Sequence, residues 1–217
     1  SFSASAADTD VLTYENYSYK VTENGIVITA YNGSEANPVI PSAIDETAVI
    51  SIGNSAFAEN TSITAVTIPS SITTIENKAF KNCTKLEKIT IPGNITTIGA
   101  EAFISCTNLT EIEIPSSVKQ INHHAFKNCT KLEKLTLNEG LTKLGFECFS
   151  NTKITSVTIP STLTDVYINL VTNGGPFAGC ELLKDITIAE EATKIPNYLF
   201  KNCTQLEKIT IPGNVVT

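Results

Sequence analysis

The sequence predicts a solenoid of stacked β-repeats, with a parallel sheet along one wall, and three observations carry that prediction. Phe57, Phe80, Phe103, Phe126, Phe149, Phe177 and Phe200 stand 23, 23, 23, 23, 28 and 23 residues apart. Small and apolar residues recur at fixed offsets from each ring. Residues 81–94 return as residues 201–214 with only Lys85 changed to Gln205. A fixed period of this length marks an array whose units cannot bury their apolar faces alone and do so against one another.

Within one period the order is Ile75-x-x-x-Ala79-Phe80-x-x-Cys83-x-x-Leu86-x-x-Ile89-x-Ile91-Pro92, and it repeats as Ile98-x-x-x-Ala102-Phe103-x-x-Cys106-x-x-Leu109-x-x-Ile112-x-Ile114-Pro115. The Ile-x-Ile alternation is a short strand with one face turned inward. Stacked copies place these strands side by side at about 4.8 Å in a parallel sheet, predicted to line a concave wall. Pro92, Pro115, Pro160 and Pro212 end the strand, because proline donates nothing to a ladder. Ala79-Phe80-x-x-Cys83 is too short for a full helix, so a single helical or 3₁₀ turn is expected on the convex side, its ring driven inward. Seven such units fill residues 52–217.

Residues 11–51 depart from the rhythm and read as an N-terminal β cap. Tyr17, Tyr19 and Val21 alternate, Asn24-Gly25 is a hairpin turn, Ile26-Val27-Ile28 returns, and Asn32-Gly33 closes a further turn. Such a hairpin would cover the open edge of the first repeat. Residues 1–10 begin with small side chains in the manner of the end of a secretory signal, and are expected to be a disordered remnant of an export region. The absence of Met predicts a processed piece, and the ending at Val215-Val216-Thr217 in mid-rhythm predicts that the array continues.

Leu86-x-x-Ile89-x-Ile91-x-x-Asn94 matches the leucine-rich-repeat signature. The whole rhythm, complete in residues 98–115, resembles the BspA-like class of leucine-rich repeats. That resemblance implies a secreted or cell-surface protein of the adhesin kind, which engages host or matrix proteins, and it names no ligand.

Composition narrows the partners. Lys+Arg is 15 against Asp+Glu 22, every basic residue is Lys, and the net charge is −7. Duplex nucleic acid wants a clustered basic face and guanidinium forks, so no nucleic-acid partner is expected. No apolar run nears the roughly 20 residues that span a bilayer.

No constellation for catalysis, metal or cofactor emerges, and the chain reads as a non-enzyme. Cys83, Cys106, Cys129, Cys180 and Cys203 each follow a repeat Phe by three positions. Parallel stacking points them the same way, unlike a disulfide, and predicts a buried thiol row that completes the Phe core. Cys148, off that row, is the expected accessible thiol. His123-His124 lack metal-ligand spacing and are expected on an exposed loop.

Candidate binding positions are of two kinds. Lys88, Glu111, Lys134 and Asp185 occupy one outward row of the predicted sheet, and Glu113 joins the threonines of the next (Thr67, Thr90, Thr136, Thr158, Thr187, Thr210). The first three are expected to form a surface salt-bridge ladder. The second kind is an insertion: the strand-to-strand spacing from Val157 to Ile186 is 29 residues, and the six extra fall around Val171-Thr172-Asn173-Gly174-Gly175-Pro176. Insertions in repeats become loops on one face, often where ligands touch. The function expected is recognition of a protein or glycan. The rival is a structural spacer that holds another domain away from the surface.

Overall fold

A computed structural model describes residues 10–215. The expected export remnant, residues 1–10, lies outside the described residues except for Asp10.

The chain winds as a parallel β-solenoid with two rows of strands rather than one. The row predicted from Ile-x-Ile comprises Ala65–Val66 paired with Lys88–Ile89, Glu111–Ile114 with Lys134–Leu137, and Ser156–Ile159 with Asp185–Ile188 and Lys208–Thr210. Inward and outward residues alternate along it, Ile112 and Ile114 buried, Glu111 and Glu113 exposed. The second row was not predicted. It consists of Thr74–Ile75, Thr97–Ile98, Gln120–Ile121, Lys143–Leu144 and Asp165–Val166, each joined in parallel to the next at full-repeat register.

It is this second row that the cap extends. Tyr17–Thr22 and Gly25–Tyr31 form an antiparallel hairpin, Leu12–Tyr14 adds a third strand, and Gly25–Tyr31 runs parallel to Thr47–Ile52, which leads into Thr74–Ile75. The hairpin turn sits at Glu23-Asn24, one residue before the predicted dipeptide, and Gly25, at φ 140°, already pairs with Thr22.

The segment around each Phe contains no helix among the described residues, which corrects the expected helical or 3₁₀ turn. The residues two before and two after the ring take left-handed φ: Lys78 and Asn82 about Phe80, Glu101 and Ser105 about Phe103, His124 and Asn128 about Phe126. A left-handed residue every four positions breaks any helical run. In exchange the backbone bonds to the next repeat, with the N–H groups of Phe57, Phe80, Phe103 and Phe126 each donating over 2.7 Å to the carbonyls of Ala79, Ala102, Ala125 and Cys148.

Inside, the rings form one column. Centroids of Phe57, Phe80, Phe103, Phe126, Phe149 and Phe177 are 4.8, 5.1, 5.0, 5.4 and 5.5 Å apart in succession, with planes within 20°. Tyr31 of the cap continues the column 5.2 Å from Phe57. Phe200, in the last described repeat, is only half-buried.

Beside the rings runs the thiol row. Cys83, Cys106, Cys129 and Cys180 are buried and unpaired, and their Sγ atoms donate to the carbonyls of Phe57, Phe80, Phe103 and Phe149 at 3.0, 3.2, 3.2 and 3.0 Å. Cys203 is half-buried, with a longer contact of 3.8 Å to the Phe177 carbonyl. In the fifth repeat Thr152 replaces the thiol and gives its hydroxyl to Phe149 O at 2.9 Å. Cys148 is fully buried, not accessible as expected, because it holds the inward slot that Ala79, Ala102 and Ala125 hold elsewhere.

Candidate binding surface

Lys88, Glu111, Glu113, Lys134 and Asp185 are all exposed on the Ile-x-Ile row. The register places Glu111 beside Lys134 and Asp185 beside Lys208. The expected salt-bridge ladder does not form: none of these pairs is within ion-pair distance, and Glu113 instead accepts a hydrogen bond from Asn138 Nδ2 at 3.0 Å. Exposed Lys–Glu pairs gain ~0.2–1 kcal/mol at most, which does not repay ordering two long side chains. The row is a polar strip of mixed sign, flanked by exposed Thr67, Thr90, Thr136, Thr158, Thr187 and Thr210.

The insertion is more sharply built. Asn169 closes it, its N–H donating to Gly174 O at 3.1 Å and its carbonyl accepting from Asn173 N–H at 2.6 Å. The Asn169 side chain accepts from the N–H groups of Val171 and Thr172 at 2.9 and 3.3 Å. Asn173, at φ 60°, turns the chain back. This leaves Leu170 and Val171 on the crest, 87% and 94% exposed. Of the three predicted loop residues, Asn173 is exposed, Thr172 is engaged with the stack, and Gly174 is buried. A Cβ on Gly174 would meet Glu147 Oε1 at 2.8 Å, so the absence of a side chain there lets the loop close onto the stack.

Glu147 is the anchor that the sequence reading missed. It is 4% exposed and accepts hydrogen bonds from Lys127 Nζ and Thr172 Oγ1, while its N–H donates to Gly175 O at 3.1 Å. Burial pushes the carboxyl up, but the hydrogen bonds from Lys127 and Thr172 and the Lys127 charge outweigh it and hold the group below the ordinary glutamate value. His124 Nε2 stands 3.5 Å from the same carboxylate. Burial and the Lys127 charge hold this histidine below its ordinary value in spite of Glu147.

The histidines are half-buried rather than on an exposed loop. His123 stacks on Phe146 with centroids 3.9 Å apart and accepts from Phe146 N–H at 3.2 Å, with Tyr167 edge-on at 5.6 Å. Only the column Asn77, Ala100, His123, Phe146, read across repeats, could have pointed to this stack. No group of three or more His, Cys, Asp or Glu that could hold a metal occurs among the described residues. No helix among them is long and apolar enough to cross a membrane.

Comparisons with known proteins agree with this architecture. A leucine-rich-repeat protein of T. pallidum superposes with a TM-score of 0.63 over 94% of this chain and 84% of that one, at 24% identity. The pneumococcal vaccine antigen PcpA gives 0.64 over 95% and 71%, at 22% identity. A leucine-rich cell surface protein of Faecalibacterium prausnitzii gives 0.51 over 94% and 96%, at 20% identity. At these identities the likeness establishes the fold. No curated protein sequence matches the chain. The family profile described as BspA type Leucine rich repeat region matches in six copies over residues 50–174 and 169–217, and the chain therefore belongs to the BspA-type leucine-rich-repeat family.

Proposed function

We propose that the chain is a non-enzymatic recognition module of a secreted or cell-surface protein, binding a protein or glycan partner mainly through the insertion loop. The observation that carries this reading is the crest. Leu170 and Val171 are held in water by a loop that is braced by hydrogen bonds within itself and to the stack. Two large apolar side chains fixed on a protruding turn gain nothing for the fold and offer a pre-organised anchor to a partner pocket. The strip of Lys88, Glu111, Glu113, Lys134 and Asp185 is polar and carries no aromatic anchor, so its part is secondary.

A spacer role draws support from the unbroken ring column from Tyr31 to Phe177. The two readings separate in a binding screen against immobilised extracellular-matrix proteins and a glycan array. Recognition requires saturable binding that L170S/V171S reduces by about tenfold or more. Silence across the whole panel favours the spacer.

A further inference from the structure

Among the described residues the second strand row stops at Asp165–Val166, although the chain makes another full turn. Up to that point two backbone series are unbroken. Thr96, Lys119, Thr142 and Thr164 each donate an N–H to the preceding repeat, onto Thr73, Thr96, Lys119 and Thr142, over 2.8–3.1 Å. Gly99, Asn122, Gly145 and Tyr167 do the same onto Ile75, Ile98, Ile121 and Leu144, over 2.8–3.0 Å. The next members, at the 29-residue spacing, are Thr193 onto Thr164 and Pro196 onto Val166.

Neither bond forms. Pro196 has no N–H to give, where Gly99, Asn122, Gly145 and Tyr167 in the same column all donate one. Ala192 also stands where Ile95, Val118, Leu141 and Leu163 fill the other repeats. The opening spares the first strand row. On the other side Ser156–Ile159 still pairs with Asp185–Ile188 over four residues, and at the Phe turn Gly175 N–H still reaches Lys201 O at 3.3 Å, although Phe200 is half-buried and does not continue the ring column past Phe177. What results is a groove of about 670 Å³ between Ser161, Leu163 and Thr164 on one bank and Thr193, Ile195 and Pro196 on the other.

We propose that this groove is a strand-addition site that takes one extended polypeptide segment built of isoleucine-like apolar residues and threonines, running parallel to Asp165–Val166. The backbone identifies the class of occupant. The carbonyls of Thr164 and Val166 on one bank and the N–H of Thr193 on the other are the unused halves of a ladder, and a strand laid between them completes both. The side chains identify the residue types. Everywhere else in this row the slot beside a strand is filled by a segment such as Ile95-Thr96-Thr97-Ile98-Gly99, and the apolar Leu163 and Ile195 with the hydroxyls of Thr164 and Thr193 repeat that environment here. The site is separate from the loop crest and stands whether or not the crest binds anything.

The test uses a fluorescent peptide of residues 94–100, Asn-Ile-Thr-Thr-Ile-Gly-Ala, titrated with the whole chain by anisotropy. The parent protein and L170S/V171S are expected to bind it saturably and alike. Pro196→Gly, which restores the missing N–H and closes the ladder, is expected to weaken binding about tenfold or more, and so is N-methylation of the peptide at Thr96 and Gly99. Circular dichroism and thermal unfolding confirm that the variant is folded, and the N-methylated peptide needs no variant at all. No binding up to about 1 mM peptide, or equal binding after either change, overturns the proposal. So does loss of binding in L170S/V171S, which would move the contact to the crest.

Discussion

The ring of Phe126 lies 5.0 Å from that of Phe103 and within 6° of parallel, in the middle of a column that no single repeat could build. Both rings are fully buried, so Phe126→Ala removes ring burial and leaves a cavity that its neighbours fill only in part. The expected cost is ~3–5 kcal/mol. In a one-dimensional array that loss falls on the damaged repeat and its two interfaces, so both halves of the stack should lose hydrogen-exchange protection. Phe200 is half-buried at the end of the described array, and Phe200→Ala should fray residues 195–215 alone. Equal, global loss of protection in the two variants would mean that the chain unfolds as one globular unit.

The thiol row makes two linked predictions. In the native protein an alkylating reagent should spare Cys83, Cys106, Cys129, Cys148 and Cys180, reach the half-buried Cys203 first and slowly, and label all six after denaturation. Burial also pushes the Cys83 and Cys129 thiols up to about 12 from an ordinary 9.0. A raised value means that the folded state keeps protons that the unfolded chain gives up. Stability is therefore fully present below pH 9.0 and falls as pH rises toward 12, by up to about 1.4 kcal/mol per pH unit for each such thiol. Urea unfolding across that range should show the decline, and the C83A/C129A variant should show a shallower one. A flat profile in the parent would place those thiols in contact with water.

How far the sequence was legible depended on period and length. The Phe row, the Cys row and the Ile-x-Ile strands repeat often enough to be read as structure. The second strand row was not, because Thr74–Ile75 and Thr97–Ile98 are two residues long and show no alternation. The convex turns looked helical because their left-handed positions carry Lys78, Glu101, His124 and Glu147 rather than Gly, and side chains of that kind give no local sign of positive φ. Cys148 was misjudged by comparison with the other cysteines, when its true column is Ala79, Ala102 and Ala125. In the candidate site the register of Glu111 beside Lys134 was legible, but whether an exposed pair closes is a balance of small energies. Glu147 was hidden because its partners Lys127 and Thr172 lie 20 and 25 residues away, the second across an insertion of irregular length.

Glu147 ties the insertion to the stack, and that makes the loop separable from the solenoid by pH and by mutation. Its carboxylate is held below the ordinary value of 4.5 by Lys127 and Thr172 against the cost of burial. A depressed value means that the folded state prefers the charged form, so its contribution is present above pH 4.5 and is lost as pH falls through the native value. Hydrogen exchange of residues 169–175 should therefore quicken on acidification before the Phe column loosens. Glu147→Ala should reproduce that state at neutral pH, costing ~1–3 kcal/mol through the unmet hydrogen-bond partners. Thr172→Val, which removes only the hydroxyl, should free the loop with little effect on global unfolding. If the recognition reading holds, both variants lose affinity through disorder of the crest while Leu170 and Val171 are untouched. Unchanged loop protection in Glu147→Ala would show instead that Asn169 and the Gly174–Pro176 backbone contacts hold the insertion without it.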